Sequence, residues 1–274
     1  MFIIIREMNA SINYYAKRKC NALLRAERIK EILEIVKKDK VASVNKLAGI
    51  FNVHRATIRR DLADIEERGL LVRIHGGIID DITTIEPPFS ERSLEHYAEK
   101  ERIGLAASEL IGNDEHIIID SGTTTLHIAK NLHNRTGLTI ITNDMNIASE
   151  LRDAPGVTVI VTGGTLRRGT YMLNGMFTHN MLQTLHVQKA FIGIPAIHPV
   201  HGLTHSEADF VSAKQWMIKA AKQVIVTVDH SKIGKLSLHN VMPTQSLHIV
   251  ITGEEAPDTQ LQPFKDAGIT IIKA

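Results

Sequence analysis

The chain of 274 residues reads as an α/β protein in two parts, a small helical head with a β-wing and a larger body on a mostly parallel sheet. Three observations predict this. Residues 25–67 repeat apolar side chains at helical spacing in three short segments. From residue 117 onward, short β-branched runs alternate with helical stretches. The charge also divides, with net +6 over residues 1–80 against −4 over 81–274. Hydrophobic residues at 43% and charged residues at 23% suit a folding globular chain, long enough for one large domain or two ordinary ones. No apolar run approaches the ~18 residues of a bilayer span, and Arg6 closes the N-terminal one, so neither a span nor a signal peptide is expected. A single cysteine, Cys20, makes no intramolecular disulfide and is too few for a thiolate zinc site; a reducing cytoplasm is the expected setting.

Residues 1–24 show no sustained period and read as an irregular tail. A helix is expected from Arg25, where Ile29, Ile32, Leu33 and Val36 form one apolar stripe that the lysines of 37–40 end. Ser43 stands as N-cap of a second helix that buries Leu47, Ile50 and Phe51, and Asn52 and Val53 make the turn. A third helix over 54–67 places Ile58, Leu62 and Ile65 on one face and Arg55, Thr57, Arg59 and Arg60 on the others. Residues 70–77 follow as a β-prone segment ending in Gly76-Gly77, a candidate wing carrying Arg73 and His75. Three such helices with a short turn before the last suit a helix-turn-helix, whose last helix enters the major groove and reads base edges with Arg and Thr. The same spacing also suits a three-helix packing module with arginines on a solvated face.

Residues 80–90, with Pro87 and Pro88, read as linker, and 91–274 as the body. There a helix is expected over 93–111. Strands follow at 117–119, 138–142, 157–162, 190–194, 224–228, 249–252 and 269–272, with helices at 126–132, 145–151 and 206–221 among them. In a parallel sheet ligands gather beyond the strand C-termini, and there this sequence concentrates small polar residues: D-S-G-T-T-T at 120–125, I-T-N-D at 141–144, V-T-G-G-T-L-R at 161–167 and V-D-H-S-K-I-G at 228–234. Each loop suits a capped turn as well as an anion cradle. No Walker lysine and no G-x-G-x-x-G is present, which disfavours nucleotides, and no cofactor is expected.

The string V-H-R-A-T-I-R-R-D-L at 53–62, with E-E-R-G-L-L-V-R-I-H-G-G at 66–77, resembles the winged helix of the DeoR family of bacterial sugar-metabolism regulators. The four body loops and G-L-T-H-S-E at 202–207 stand in that family's order and resemble its effector domain, whose fold is similar to ribose-5-phosphate isomerase. The resemblance implies a DNA-binding repressor of a carbohydrate operon, an oligomer, controlled by a phosphorylated sugar. By position it implies DNA contacts at His54, Arg55, Thr57, Arg59, Arg60, Arg73 and His75. It implies effector contacts at Asp120, Ser121, Gly122, Thr123, Thr124, Asn143, Gly163, Gly164, Glu207, Lys214, Asp229 and Lys232. Two departures stand out. His54 replaces a common serine cap, which leaves capping to Asn52 or starts the helix a residue late, and G-I-P-A-I-H at 193–198 lacks two carboxylates of the common G-x-D-G-I-D.

Two other readings follow from the residues. A sugar-phosphate isomerase with an accessory head would use Glu207 or Asp229 as base, but such an enzyme has no use for the head, so no catalysis is expected. His198, His201 and His205 with Glu207 and Asp209 crowd one loop, yet Pro199 and Gly202 deny them a helix, and no metal is expected there.

Overall fold

The computed structural model describes residues 25–39, 41–67, 72–74, 77–79 and 87–274. The tail, Cys20 and His75 lie outside them. Two compact units divide after Ile82.

In the head, α1 (Arg25–Asp39), β1 (Val41–Ser43), α2 (Val44–Phe51) and α3 (Arg55–Glu67) precede the wing strands β2 (Val72–Ile74) and β3 (Gly77–Ile79). Ile32, Val36, Leu47, Ile58, Leu62 and Ile65 are fully buried together, as their 3.6-residue spacing predicts. Ser43 caps α2 by accepting from the Lys46 N–H at 3.1 Å. Asn52 ends α2 in a left-handed conformation instead of capping α3. His54 itself takes that role: its Nδ1 accepts from the Ala56 N–H at 3.2 Å, and α3 begins one residue later. Strand β1 was not expected; it pairs antiparallel with β3, which also pairs β2.

The body opens with α4 (Phe89–Leu94), which begins inside the stretch expected as linker, and α5 (Tyr97–Glu109). Glu95 and His96 break the single helix expected over 93–111; His96 sits left-handed at φ 50. Next come β4 (His116–Ile119), α6 (Thr125–Ala129), β5 (Leu138–Thr142), α7 (Met145–Leu151), β6 (Val157–Val161), β7 (Thr165–Leu166), β8 (Leu173–Asn174) and α8 (Met176–Leu182). The chain continues through β9 (Val187–Ile192), β10 (Ala196–His198), β11 (Gly202–His205), α9 (Val211–Ala220) and β12 (Ala221–Thr227). It ends with β13 (His239–Met242), β14 (Ile249–Thr252), α10 (Asp258–Asp266) and β15 (Thr270–Lys273).

Seven strands form one parallel sheet in the order β15-β14-β12-β9-β4-β5-β6. Both faces are covered: Ile118, Ile192 and Val226 join one apolar cluster, and Ile117, Ile119 and Ile225 join another. The chain winds outward from β4 through β5 to β6, then returns to the other side of β4 at β9. The loops after β4 and β9 therefore diverge and leave a crevice. An antiparallel sheet, β10-β11-β13, also appears where a histidine-rich loop was expected. His198 and His205 lie on its strands.

Candidate functional site

A cavity occupies that crevice. Ser121, Gly122, Thr123 and Thr124 after β4 form one wall, residues 193–195 after β9 another, and Thr227, Val228, Asp229 and Lys232 at the end of β12 a third. Phe89 and Arg92 of α4, Lys100 of α5, and Thr170, His205, Phe210 and Lys214 complete it. The expected helix over 126–132 is only five residues long, so it offers little dipole; loop amides and side-chain cations remain to hold an anion.

Charge in the cavity is mostly positive. Lys214, buried, pairs with Asp120 and donates to the Gly193 carbonyl at 2.7 Å, while the Gly193 N–H donates to Asp120 Oδ2 at 3.2 Å. Burial pushes the Asp120 carboxyl up, against the pull of Lys214. Lys100 is buried and donates to the Arg92 carbonyl. Burial pushes its ammonium down, and Asp229 opposes that shift. For Asp229, burial pushes up, but Lys232, the Ser231 hydroxyl, Lys100 and His96 together hold the carboxyl below its ordinary value. Asp229 is thus an acidic counter-charge near Lys232 and Lys100, with its Oδ1 held by the Ser231 N–H and hydroxyl. His205 stacks on Phe210 at 4.5 Å and accepts from the Glu207 N–H through Nδ1; burial, with Lys214 and Arg92 nearby, lowers its pKa to about 2. It is therefore neutral at neutral pH. Thr227 Oγ1 at the cavity wall and Asp120 Oδ1 are buried with no hydrogen-bond partner among the described residues.

Of the sequence-predicted effector residues, Ser121, Gly122, Thr123, Thr124, Lys214, Asp229 and Lys232 line the cavity, and Asp120 stands behind Lys214. Asn143, Gly163, Gly164 and Glu207 do not line it. Asn143 accepts from the Ser121 N–H at 3.2 Å and so shapes the loop from outside, beside Asp144, which takes the Ser121 hydroxyl. Gly164 is glycine because a Cβ there would sit 2.5 Å from the Asn174 carbonyl oxygen at φ +120. Gly163 accepts from Thr178 Oγ1 at 2.7 Å. Glu207 and Asp209 both pair with Arg167, while His198 Nδ1 accepts from the Val200 N–H, so the supposed metal loop does not converge on one point. Sequence reading missed Arg92, Lys100 and His205. For Lys100 a signal existed: it shares the buried phase of α5 with Ile103 and Ala107 at i+3 and i+7.

In the head, His54, Arg55, Arg59 and Arg60 are exposed and Thr57 is half-buried, all on or beside α3; Arg73 lies on β2. A buried bidentate pair fixes α3 against α1: Arg28 donates to Asp61 through Nε at 2.6 Å and Nη2 at 3.3 Å. Arg25 approaches the same carboxylate at 3.4 Å.

Residues 28–83 match the DeoR-like helix-turn-helix domain and residues 95–254 the DeoR C-terminal sensor domain. Similar proteins include a putative aga operon transcriptional repressor of Escherichia coli O157:H7, 35% identical over 90% of this chain and 93% of its own. The glycerol-3-phosphate regulon repressor of Escherichia coli K12 is 30% identical over 89% of this chain and 97% of its own. Ribose 5-phosphate isomerase A from Methanocaldococcus jannaschii aligns at 16% identity and TM-score 0.36 over 48% of this chain and 52% of that one. The matched families and relatives are transcriptional regulators, not enzymes. Among the described residues no helix is long and apolar enough to cross a membrane.

Proposed function

The chain belongs to the DeoR family of transcriptional regulators, and from that premise we propose that its crevice binds a phosphorylated sugar whose arrival alters the hold of the helix-turn-helix on operator DNA. The observation that carries this reading is the meeting of Lys100, Lys232 and Arg92 with the 121–124 loop at the sheet's switch point. Phosphate is the ligand group that satisfies several cations and loop amides at once, and the unpartnered Thr227 hydroxyl suits the sugar's own hydroxyls. A relative named for the glycerol-3-phosphate regulon supports a small phosphorylated carbohydrate and the role of repressor of a carbohydrate operon.

In this reading residues 25–79 bind DNA, 80–88 connect, and α4 with the residues after it, 89–274, sense. His54, Arg55, Thr57, Arg59 and Arg60 contact the groove or its phosphates, with Arg73 and His75 on the wing. Because α4 follows the connecting residues directly, a ligand touching Phe89 and Arg92 acts on the segment that leads back to the head. One recognition helix reads few base pairs, so the protein works as a dimer or tetramer on repeated half-sites, in the cytoplasm where operator DNA is. The test is calorimetric titration of phosphorylated sugars and their unphosphorylated parents, beside an operator-binding assay. Binding only of phosphorylated members, with a change in DNA affinity, is expected. Equal binding of the parent sugars, or ligand binding that leaves DNA affinity unchanged, refutes the reading.

A further inference from the structure

At the start of α5, outside the cavity lining, His96, Glu99 and His230 bring one ligand atom each to within 4.8 Å of one another. Glu99 is fixed first. Its carboxylate is buried, with Oε1 accepting from the His230 N–H at 2.6 Å and Oε2 lying 2.8 Å from His230 Nδ1. Gly253 backs it: a Cβ there would stand 2.4 Å from Glu99 Cγ and Oε1. The clamp on His230 accounts for Glu99 but not for His96. That residue holds a left-handed backbone at φ 50, ψ 34 without capping α5 through its side chain. Its Nδ1 comes only to 3.9 Å of Glu99 Oε2, and its ring meets the His230 ring edge-on at 4.7 Å. Two imidazoles therefore converge on one carboxylate oxygen, and both are open to solvent, with side chains 38% and 32% exposed.

We propose that His96, Glu99 and His230 form a binding site for a divalent cation of the zinc class. Ligands about 2.1 Å from a tetrahedral ion stand about 3.4 Å apart. The two separations from Glu99 Oε2, 2.8 and 3.9 Å, bracket that value, and all three ligand atoms lie within 4.8 Å of one another, so side-chain adjustment alone closes the site. Two neutral imidazoles and one carboxylate are the donors such ions prefer over calcium or magnesium, and water fills the remaining position. On binding, the ion takes the place of the proton between His230 Nδ1 and Glu99 Oε2. That proton moves to Nε2 of the same ring, and Oε1 keeps the His230 N–H. The bound ion ties the start of α5 to the loop of Asp229 and Lys232.

The test uses the full chain, freed of affinity tags and stripped by chelator, titrated with Co2+ by visible absorption and then with Zn2+. Wild type is expected to take up one Co2+ per chain, with the spectrum of a low-coordinate nitrogen and oxygen site, and to exchange it for Zn2+. His96→Gly suits the left-handed backbone, so it should keep the metal-free melting temperature while weakening uptake at least tenfold; Glu99→Gln should weaken it as well. A His198→Ala, His201→Ala double variant should bind like wild type. No uptake at tens of micromolar metal, undiminished affinity in His96→Gly, or loss of uptake in the double variant overturns the assignment.

Discussion

Lys232 supplies the sharpest test of the cavity, because the sheet provides its own control. The side chain lines the cavity after β12 and is only partly buried, so Lys232→Ala removes a cation at little cost in packing. Loss of a charge-assisted hydrogen bond to phosphate is worth about 1.5–3 kcal/mol, or about a 10- to 150-fold rise in Kd. Lys222 stands exposed at the opposite end of the same strand. Five residues of extended chain separate it from Thr227, about 16 Å, where the Coulomb energy in water is about 0.3 kcal/mol before screening over a Debye length of about 8 Å. Lys222→Ala makes the same change in net charge and should alter affinity less than about twofold. Calorimetric titration of both variants with the phosphorylated sugar found by screening gives the comparison. Equal losses in the two, or less than a twofold loss in Lys232→Ala, would show that the ligand is held elsewhere or by general charge.

Arg60→Ala should weaken operator binding by about 1–3 kcal/mol if it reads a base and less if it holds a phosphate; unchanged footprints for both Arg59→Ala and Arg60→Ala would remove α3 from the groove. Asp61→Ala strips Arg28 of its buried bidentate partner and should destabilise the head by about 3–5 kcal/mol, read as faster hydrogen exchange over 25–67; unchanged exchange contradicts the role of that pair. The body should lose stability below neutral pH. Burial, with Lys130 nearby, lowers His127 to about 4, and burial with Lys214 lowers His205 to about 2, so the unfolded chain takes up protons below pH 6.5 while the folded one does not. The stabilisation is complete above pH 6.5 and falls by about 2 kcal/mol for each buried ring between pH 7 and 5. Urea melts at the two pH values should show it, His127→Gln should remove that residue's share, and a flat wild-type profile would refute it.

Local rules decided what the sequence could predict. The head was legible because a small three-helix core has one apolar face per helix, and Ile58, Leu62 and Ile65 leave no second choice of face. The seven-stranded sheet was legible because both faces are covered, which makes its strands near-continuous apolar runs bounded by polar loops. Edges were less certain. The expected strand over 190–194 starts at Val187, since Gln188 and Lys189 hide it, and Lys189 is held there by Glu115 at 2.5 Å. The helix expected over 206–221 yields its last residue to β12 without an intervening loop. Strands β1, β10, β11 and β13 are three or four residues long, too short to show a period, and the β1–β3 and β11–β13 pairings join segments distant in sequence.

The site divides along the same line. Residues that follow strands in sequence, such as Ser121, Thr123, Asp229 and Lys232, are found by locating the strand ends, because the parallel sheet brings all those ends to one edge. Strand order is the missing variable. The loops after β5 and β6 look as promising as those after β4 and β12, but β5 and β6 wind away from the β4/β9 crevice, and so Asn143, Gly163 and Gly164 leave the cavity. Conversely, Arg92 and Lys100 sit on helices before the first body strand, where no strand-end rule reaches. Lys100 is the instructive case. A lysine in the apolar phase of a helix must either extend its ammonium to solvent or find partners inside, and at 3% exposure it has done the second, with the Arg92 carbonyl and Asp229. Burial of a charge at the wall of a polar crevice is costly to maintain, which makes Lys100 a better marker of the site than any of the small polar loops.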